Sequence, residues 1–172
     1  MTIHNEHPFL PPEPDRNPLR RLRGRLASPV CVLTATHGAD RAGLTVSSVL
    51  VLDGEPGVVL AAIDPLSDLH DLLRGSGRAV LNLLGWPHRQ LADAFGYQAP
   101  APGGPFRLAD WADTEWGPAL AGAPAWAGCE LSDQPIRAAG WAVLVELVIV
   151  RTTIGADVEP LVHHRGRYRR IG

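Results

Sequence analysis

The sequence predicts a mainly β protein, an antiparallel β-barrel decorated by short helices. Three observations lead there. Apolar, β-branched runs recur between short turn segments, and the connections among the early runs are too short for crossover helices. Glycine (18) and proline (16) are abundant, yet they coexist with long apolar runs, which is the pattern of a turn-rich fold rather than of low complexity. There is no GxGxxG and no regular alternation of strand and helix, so a Rossmann unit is not expected. The chain has 172 residues, the length of one domain. Its 45% apolar and 20% charged residues are ordinary for a globular protein.

The elements follow in order. Residues 1–16 hold Pro8, Pro11, Pro12 and Pro14 and read as a flexible, extended arm, with the folded domain at 17–172. Asn17-Pro18 opens a helix, with Asn as cap and Pro in the first turn; Leu19, Leu22 and Leu26 are at helical spacing, and Pro29 ends it. Val30–Thr36 is a strand, His37–Asp40 a turn, Gly43–Leu52 a long strand, Asp53–Gly57 a turn and Val58–Ile63 a third strand, together an antiparallel meander. Ser67 starts a helix with Leu69, Leu72 and Leu73 on its apolar side, stopped by Gly75-Ser76-Gly77. Ala79–Leu84 is a strand and Pro87–Phe95 a helix. The stretch 96–124 is a long loop, of the kind that is functional or covers something. Ala125–Leu131 and Ile136–Thr152 are strands, and Pro160–His164 with Arg167–Ile171 forms a hairpin around Arg165-Gly166. The count is roughly seven strands and two or three short helices.

Composition excludes several functions. A net charge of −2 argues against a nucleic-acid binder, which gains affinity by neutralising phosphates. No apolar run reaches the roughly 18 residues of a membrane span. The start MTIHNEHPFLPPEP has neither a basic n-region nor an apolar h-region, so no signal peptide is expected. Cys31 and Cys129 each sit in an apolar run, as free thiols in a reducing compartment would. A cytoplasmic protein is the expectation. No metal site is expected, because no ligand cluster has suitable spacing. Nucleophilic catalysis finds no GxSxG elbow. The five tryptophans (86, 111, 116, 126 and 141) read as core and loop packing.

Three segments carry candidate chemistry. Gly43-Leu44-Thr45-Val46-Ser47-Ser48 places Thr45, Ser47 and Ser48 within an apolar strand, with Thr45 and Ser47 on one face. Buried hydroxyls need partners, which either the backbone or a polar ligand such as a flavin supplies. In Ala61–Leu73 a strand turns into a helix at Ser67; free N–H groups at such a start suit a phosphate, or Ser67 is an ordinary cap. Adjacent His163 and His164 point to opposite faces of a strand, so at most one faces a given pocket.

In this order the segments resemble the flavin reductase-like family, whose fold is the FMN-binding split barrel. The resemblance begins near Arg20 and runs through Pro29-Val30-Cys31-Val32-Leu33-Thr34 to Gly43–Ser48, which looks like the family's flavin strand. Ser76-Gly77-Arg78-Ala79-Val80-Leu81-Asn82-Leu83-Leu84 is similar to its SGxFxVNxL strand, with Ala79 in place of the aromatic. Gln90–Phe95 resembles the next helix, Cys129-Glu130-Leu131 a later core strand, and Pro160–Tyr168 the closing motif.

The resemblance implies a homodimer that binds FMN or FAD and reduces it with NAD(P)H, of the kind that can serve a separate monooxygenase as its reductase component. It implies flavin contacts from Thr45, Val46, Ser47 and Ser48, whose amides would favour the reduced, anionic ring. Ser67 would lie near the phosphate and Asn82 would support the pocket. His163, Arg165 and Tyr168 would lie at the mouth, where the nicotinamide stacks, with His163 and Tyr168 as the catalytic candidates. One departure stands out. Leu69 occupies the Thr position of the family's Ser-x-Thr phosphate segment, and Asp64 and Asp68 flank Ser67, with Arg41, Arg74 and Arg89 as candidates to offset them. The fold also serves deazaflavin-dependent oxidoreductases and non-catalytic flavin- or haem-binding modules, so these remain alternatives.

Overall fold

A curled antiparallel sheet organises residues 17–171, the part of the chain that the computed structural model describes. The expected arm, residues 1–16, lies outside the described residues. The elements are α1 (Pro18–Arg25), β1 (Ser28–Pro29), β2 (Cys31–His37), β3 (Asp40–Val46), β4 (Val49–Leu52), β5 (Val58–Ile63), α2 (Asp68–Ser76) and β6 (Arg78–Leu83). A 3-10 turn at Trp86–His88 leads into α3 (Arg89–Phe95), and a second lies at Pro105–Leu108. Then come β7 (Trp111–Thr114), β8 (Gly117–Leu120), β9 (Ala125–Leu131), β10 (Arg137–Ala139), β11 (Ala142–Ile154), β12 (Val162–His164) and β13 (Arg167–Arg169).

The main sheet has the order β3-β2-β6-β9-β11-β5-β4, with β10 paired to β11. Strands β3 and β4 stand on opposite edges, yet only Ser47 and Ser48 separate them in sequence. The sheet must therefore curl until its edges meet, giving the half-open barrel. This corrects the expected single strand Gly43–Leu52 and the unbroken meander. Hairpins form at β2–β3 (Cys31↔Val46) and β4–β5 (Val49↔Ala61), but between them the chain crosses from one edge to the other. The Ser48 carbonyl anchors that crossing by accepting from the Ala62 N–H at 2.9 Å.

The barrel interior is filled by alternate residues of its strands. Val59, Ala61 and Ile63 of β5 point inward, as do Val145 and Leu147 of β11, with Leu33 and Leu81. Helix α2 plugs the barrel through Leu69 and Leu73. It starts where Ser67 accepts from the His70 N–H at 3.3 Å and stops at left-handed Gly77. Strand β2 is buried on both faces, because a second cluster covers its outer side: Val30, Val32, Leu91, Phe95, Leu120 and Leu161. Each fully buried aliphatic side chain contributes about 1.5–3 kcal/mol.

Two other expectations change. The stretch 96–124 is not a bare loop: Phe106 and Trp111 meet Phe95 edge to face, at centroid distances of 4.9 and 5.7 Å, and the β7–β8 hairpin closes it. Ile136–Thr152 divides into β10 and β11 at a two-residue turn, with Gly140 at φ +63° and Trp141 at the tip. Helix α1 forms where expected, but its leucines are exposed.

Asn82 locks the layers together. Its Nδ2 donates to the Val32 carbonyl at 3.2 Å and to Thr34 Oγ1 at 3.1 Å, and its Oδ1 accepts from the Leu120 N–H at 2.7 Å. Thr34 Oγ1 in turn donates to the Pro118 carbonyl at 2.6 Å. Both side chains are fully buried, so every lost bond strands a desolvated group. Asn82→Ala is expected to lower unfolding free energy by about 2–4 kcal/mol, read from urea denaturation midpoints at unchanged slope.

Candidate functional site

Strand β3 presents alternate residues to different surroundings. Val46 faces the barrel core. Thr45 faces out, and its Oγ1 donates to the Ala92 carbonyl of α3 at 2.7 Å. Ser47 is half-buried and Ser48 exposed at the crossing. Among the described residues, these two serines engage the chain only through the Ser48 carbonyl, which leaves their hydroxyls and N–H groups free.

The Ser48 carbonyl holds Ala62, and two residues further on β5 gives way to the turn before α2. There Ser67 is buried; its Oγ donates to the Asp64 carbonyl at 2.7 Å, while Asp64 Oδ1 accepts from the Leu66 N–H at 2.9 Å. A polar strip thus runs from Thr45 through Ser47 and Ser48 to Ser67. None of the expected arginines is committed to that turn. Arg41 stacks on Phe106 at 4.7 Å, Arg74 lies in the last turn of α2, and Arg89 stacks on Trp86 at 4.1 Å while donating to its carbonyl.

Helix α3 extends the strip the other way. Asp93, next to the carbonyl that holds Thr45, accepts from the Tyr168 hydroxyl at 2.8 Å. The His163 ring meets Tyr168 edge to face at 6.0 Å. Thr45, Tyr168 and His163 are therefore brought around one helix. His164, on the other side of its strand, lines a separate apolar groove of about 660 Å³ with Pro29, Leu83, Leu161 and Ile171. Arg165 is exposed at the hairpin tip, where its N–H donates to the Gly24 carbonyl at 2.8 Å. Asn82 lies beneath the strip with its amide wholly used by the chain. Sequence reading passed over Asp93, a buried carboxylate; the available signal was an acid among Leu91, Ala94 and Phe95 on the apolar side of a helix.

Electrostatics sort these groups. Burial lowers the His163 pKa, helped by the nearby positive charge of Arg23 and by His164, so the ring is neutral at pH 7. Burial raises the Tyr168 pKa, reinforced by its bond to Asp93 and that group's charge, so the phenol stays a donor. Burial pushes the Cys31 and Cys129 thiols up to about 12, which removes them as nucleophiles. Among the described residues, the site therefore offers hydrogen-bond donors and a neutral ring over a buried polar network.

Comparison with known proteins agrees with this architecture. Residues 23–172 match the family described as flavin reductase like domain. The chain is 30% identical over 156 residues to the reductase component of 4-nitrophenol 4-monooxygenase/4-nitrocatechol 2-monooxygenase of Rhodococcus opacus, covering 90% of this chain and 80% of that protein. It is 28% identical over 153 residues to FMN reductase (NADH) RutF 1 of Methylorubrum extorquens strain PA1, covering 88% and 74%. Among solved structures, flavin reductase PheA2 superposes with a TM-score of 0.80 at 20% identity, covering 90% of this chain and 96% of that one. The NADH:FAD oxidoreductase SgcE6 of Streptomyces globisporus C-1027, in complex with NAD and FAD fragments, gives 0.80 at 23% identity, covering 95% and 96%. These superpositions meet the split-barrel expectation.

The lowered His163 pKa has a measurable consequence. Neutral imidazole is the form that folding favours, so its stabilising contribution is present above the ordinary value of 6.5 and is lost as pH falls below it. NMR titration is expected to place the His163 midpoint below 6.5, and Arg23→Gln to move it upward.

Proposed function

The chain belongs to the flavin reductase-like family, and on that premise we propose that it is an NAD(P)H:flavin oxidoreductase, moving hydride from a nicotinamide to FMN or FAD. The family match across residues 23–172 carries this reading. The free hydroxyls and amides at Ser47 and Ser48 support it, because a flavin ring offers nitrogens and oxygens along one edge to such donors. In the domain spanning 17–172, Thr45, Val46, Ser47 and Ser48 hold the ring, and Ser67 meets the phosphate. Asn82 keeps β2 and β6 rigid beneath it, and Arg165 guards the mouth.

The bound flavin supplies the hydride acceptor. The chain's own work is positioning: aligning two rings, excluding water and offering fixed dipoles where charge develops. His163 and Tyr168 line the nicotinamide side, the first neutral and the second a fixed donor, so neither opposes a cationic ring with positive charge. The relative from Rhodococcus opacus is a reductase component. That supports delivery of reduced flavin to a separate monooxygenase here.

The active unit in this reading is a homodimer. Leu19 and Leu22 of α1 and Leu26 at its C-terminal cap are exposed, and so are Leu50, Val51 and Leu52 of β4, an apolar strand at the sheet edge. Such an edge calls for a covering partner, and a second copy of this chain fits it. Among the described residues no helix is long and apolar enough to cross a membrane. Free buried thiols and a nicotinamide reductant favour the cytoplasm.

Purified protein is expected to oxidise NADH or NADPH only when FMN or FAD is present. Ser47→Asp is expected to abolish flavin binding, through a carboxylate set against the ring, with the fold intact by circular dichroism. Bound flavin without nicotinamide oxidation, or a haem Soret band, overturns the reading; unchanged flavin affinity in Ser47→Asp removes β3 as the site. Light scattering is expected to give twice the chain mass, and Val51→Asp to shift it to the monomer.

A further inference from the structure

Two large apolar side chains are almost wholly in solvent: Trp141, 91% exposed, and Leu66, 90% exposed. Trp141 stands at the tip of the β10–β11 turn, with its ring faces open to a ligand. The turn is rigid, because β10 and β11 pair up to Ala139↔Ala142 and left-handed Gly140 closes the hairpin tightly. Register locates both residues. Strands β5 and β11 pair with Ile63 opposite Val143. The chain beyond Ile63, Asp64 to Ser67, therefore leaves the sheet at the same end as Gly140-Trp141. Trp141 and Leu66 thus lie at the end of the sheet from which the chain runs to Ser67.

The charge at this end is also distinctive. Asp64 is exposed beside Ser67, Asp68 and Asp71 occupy the first turn of α2 with His70 3.7 Å from Asp71, and its one arginine, Arg74, is in the last turn. A terminal phosphate monoester carries close to two negative charges at pH 7. A pyrophosphate diester carries one per phosphate and spreads them. Carboxylates with no arginine between them and the phosphate therefore penalise the doubly charged monoester of the mononucleotide more than the singly charged first phosphate of the dinucleotide. The dinucleotide also extends past Ser67 and ends in a purine, for which an exposed indole is a natural stacking surface.

We propose that Trp141 and Leu66 form a platform for the adenine of a flavin dinucleotide, so that this protein selects FAD over FMN. The inference rests on the flavin site of the preceding section and adds to it the residue that discriminates between flavins. Leu66 supplies the apolar edge, and Asp64 both holds the Leu66 backbone and repels a terminal phosphate.

The test is equilibrium binding of FAD, FMN and riboflavin to the full chain and to Trp141→Ala, Trp141→Phe and Asp64→Asn. Wild type is expected to bind FAD about tenfold or more tighter than FMN. Trp141→Ala is expected to lose about tenfold for FAD and less than about twofold for FMN, with Trp141→Phe keeping most of the FAD affinity. Asp64→Asn keeps the acceptor for the Leu66 N–H and is expected to strengthen FMN more than FAD. Equal losses for FAD and FMN, no loss for either, or a change in oligomeric mass alone overturns the proposal and assigns Trp141 to another surface. Tight FAD and FMN binding without discrimination overturns it while leaving the flavin site standing. If wild type binds none of the three flavins, the site and the platform both fall.

Discussion

Two residues, Ser47 and Ser48, join the opposite edges of the main sheet, and the rest of the molecule depends on that join. A sheet whose edge strands are consecutive in sequence has no choice but to curl. Curling creates an interior, which α2 fills, and a seam, where polar backbone emerges. The seam cannot be a continuous strand, since the chain must leave β2 and reach β5. The same constraint that makes a barrel therefore also leaves donors unpaired at one place on its surface.

Helix α3 gives the seam its second wall. Its Ala92 carbonyl binds Thr45, and its Asp93 carboxylate binds Tyr168. The two bonds, from adjacent residues, fix a residue of the barrel and a residue of the terminal hairpin to a common support. Beneath them, Asn82 and Thr34 bridge β2, β6 and β8 with buried hydrogen bonds. Buried polar lattices of this kind hold only one register, because any slip strands several desolvated groups at once. The site is thus preorganised by interactions that need not touch a ligand.

The environment of the site suits ring positioning better than proton transfer. Tyr168 is held protonated, His163 is held neutral, and the thiols are buried out of reach. In the acidic turn around Ser67, local charge works against a simple phosphate. The β10–β11 hairpin, with Trp141 exposed at its tip, stands at the same end of the sheet. Composition alone reads this residue as ordinary packing, and strand register is what sets it at that end.

The sequence by itself determined most local structure. The Ser67 cap, the Asn17-Pro18 start, strand Ala125–Leu131 and the hairpin at Arg165-Gly166 all rest on short-range chemistry: side-chain caps, a short apolar run and turns that tolerate left-handed backbone. The order of motifs also placed the chain among split barrels. What only tertiary structure decided was long-range. The break at Ser47-Ser48 is invisible in an unbroken run of β-forming residues, because it is imposed by closure of the sheet. The role of Asn82 depends on partners 38 to 50 positions away, and that of Asp93 on one 75 away. Periodicity encodes which face a residue takes. Which distant group meets that face is set by topology, and topology is where the site is assembled.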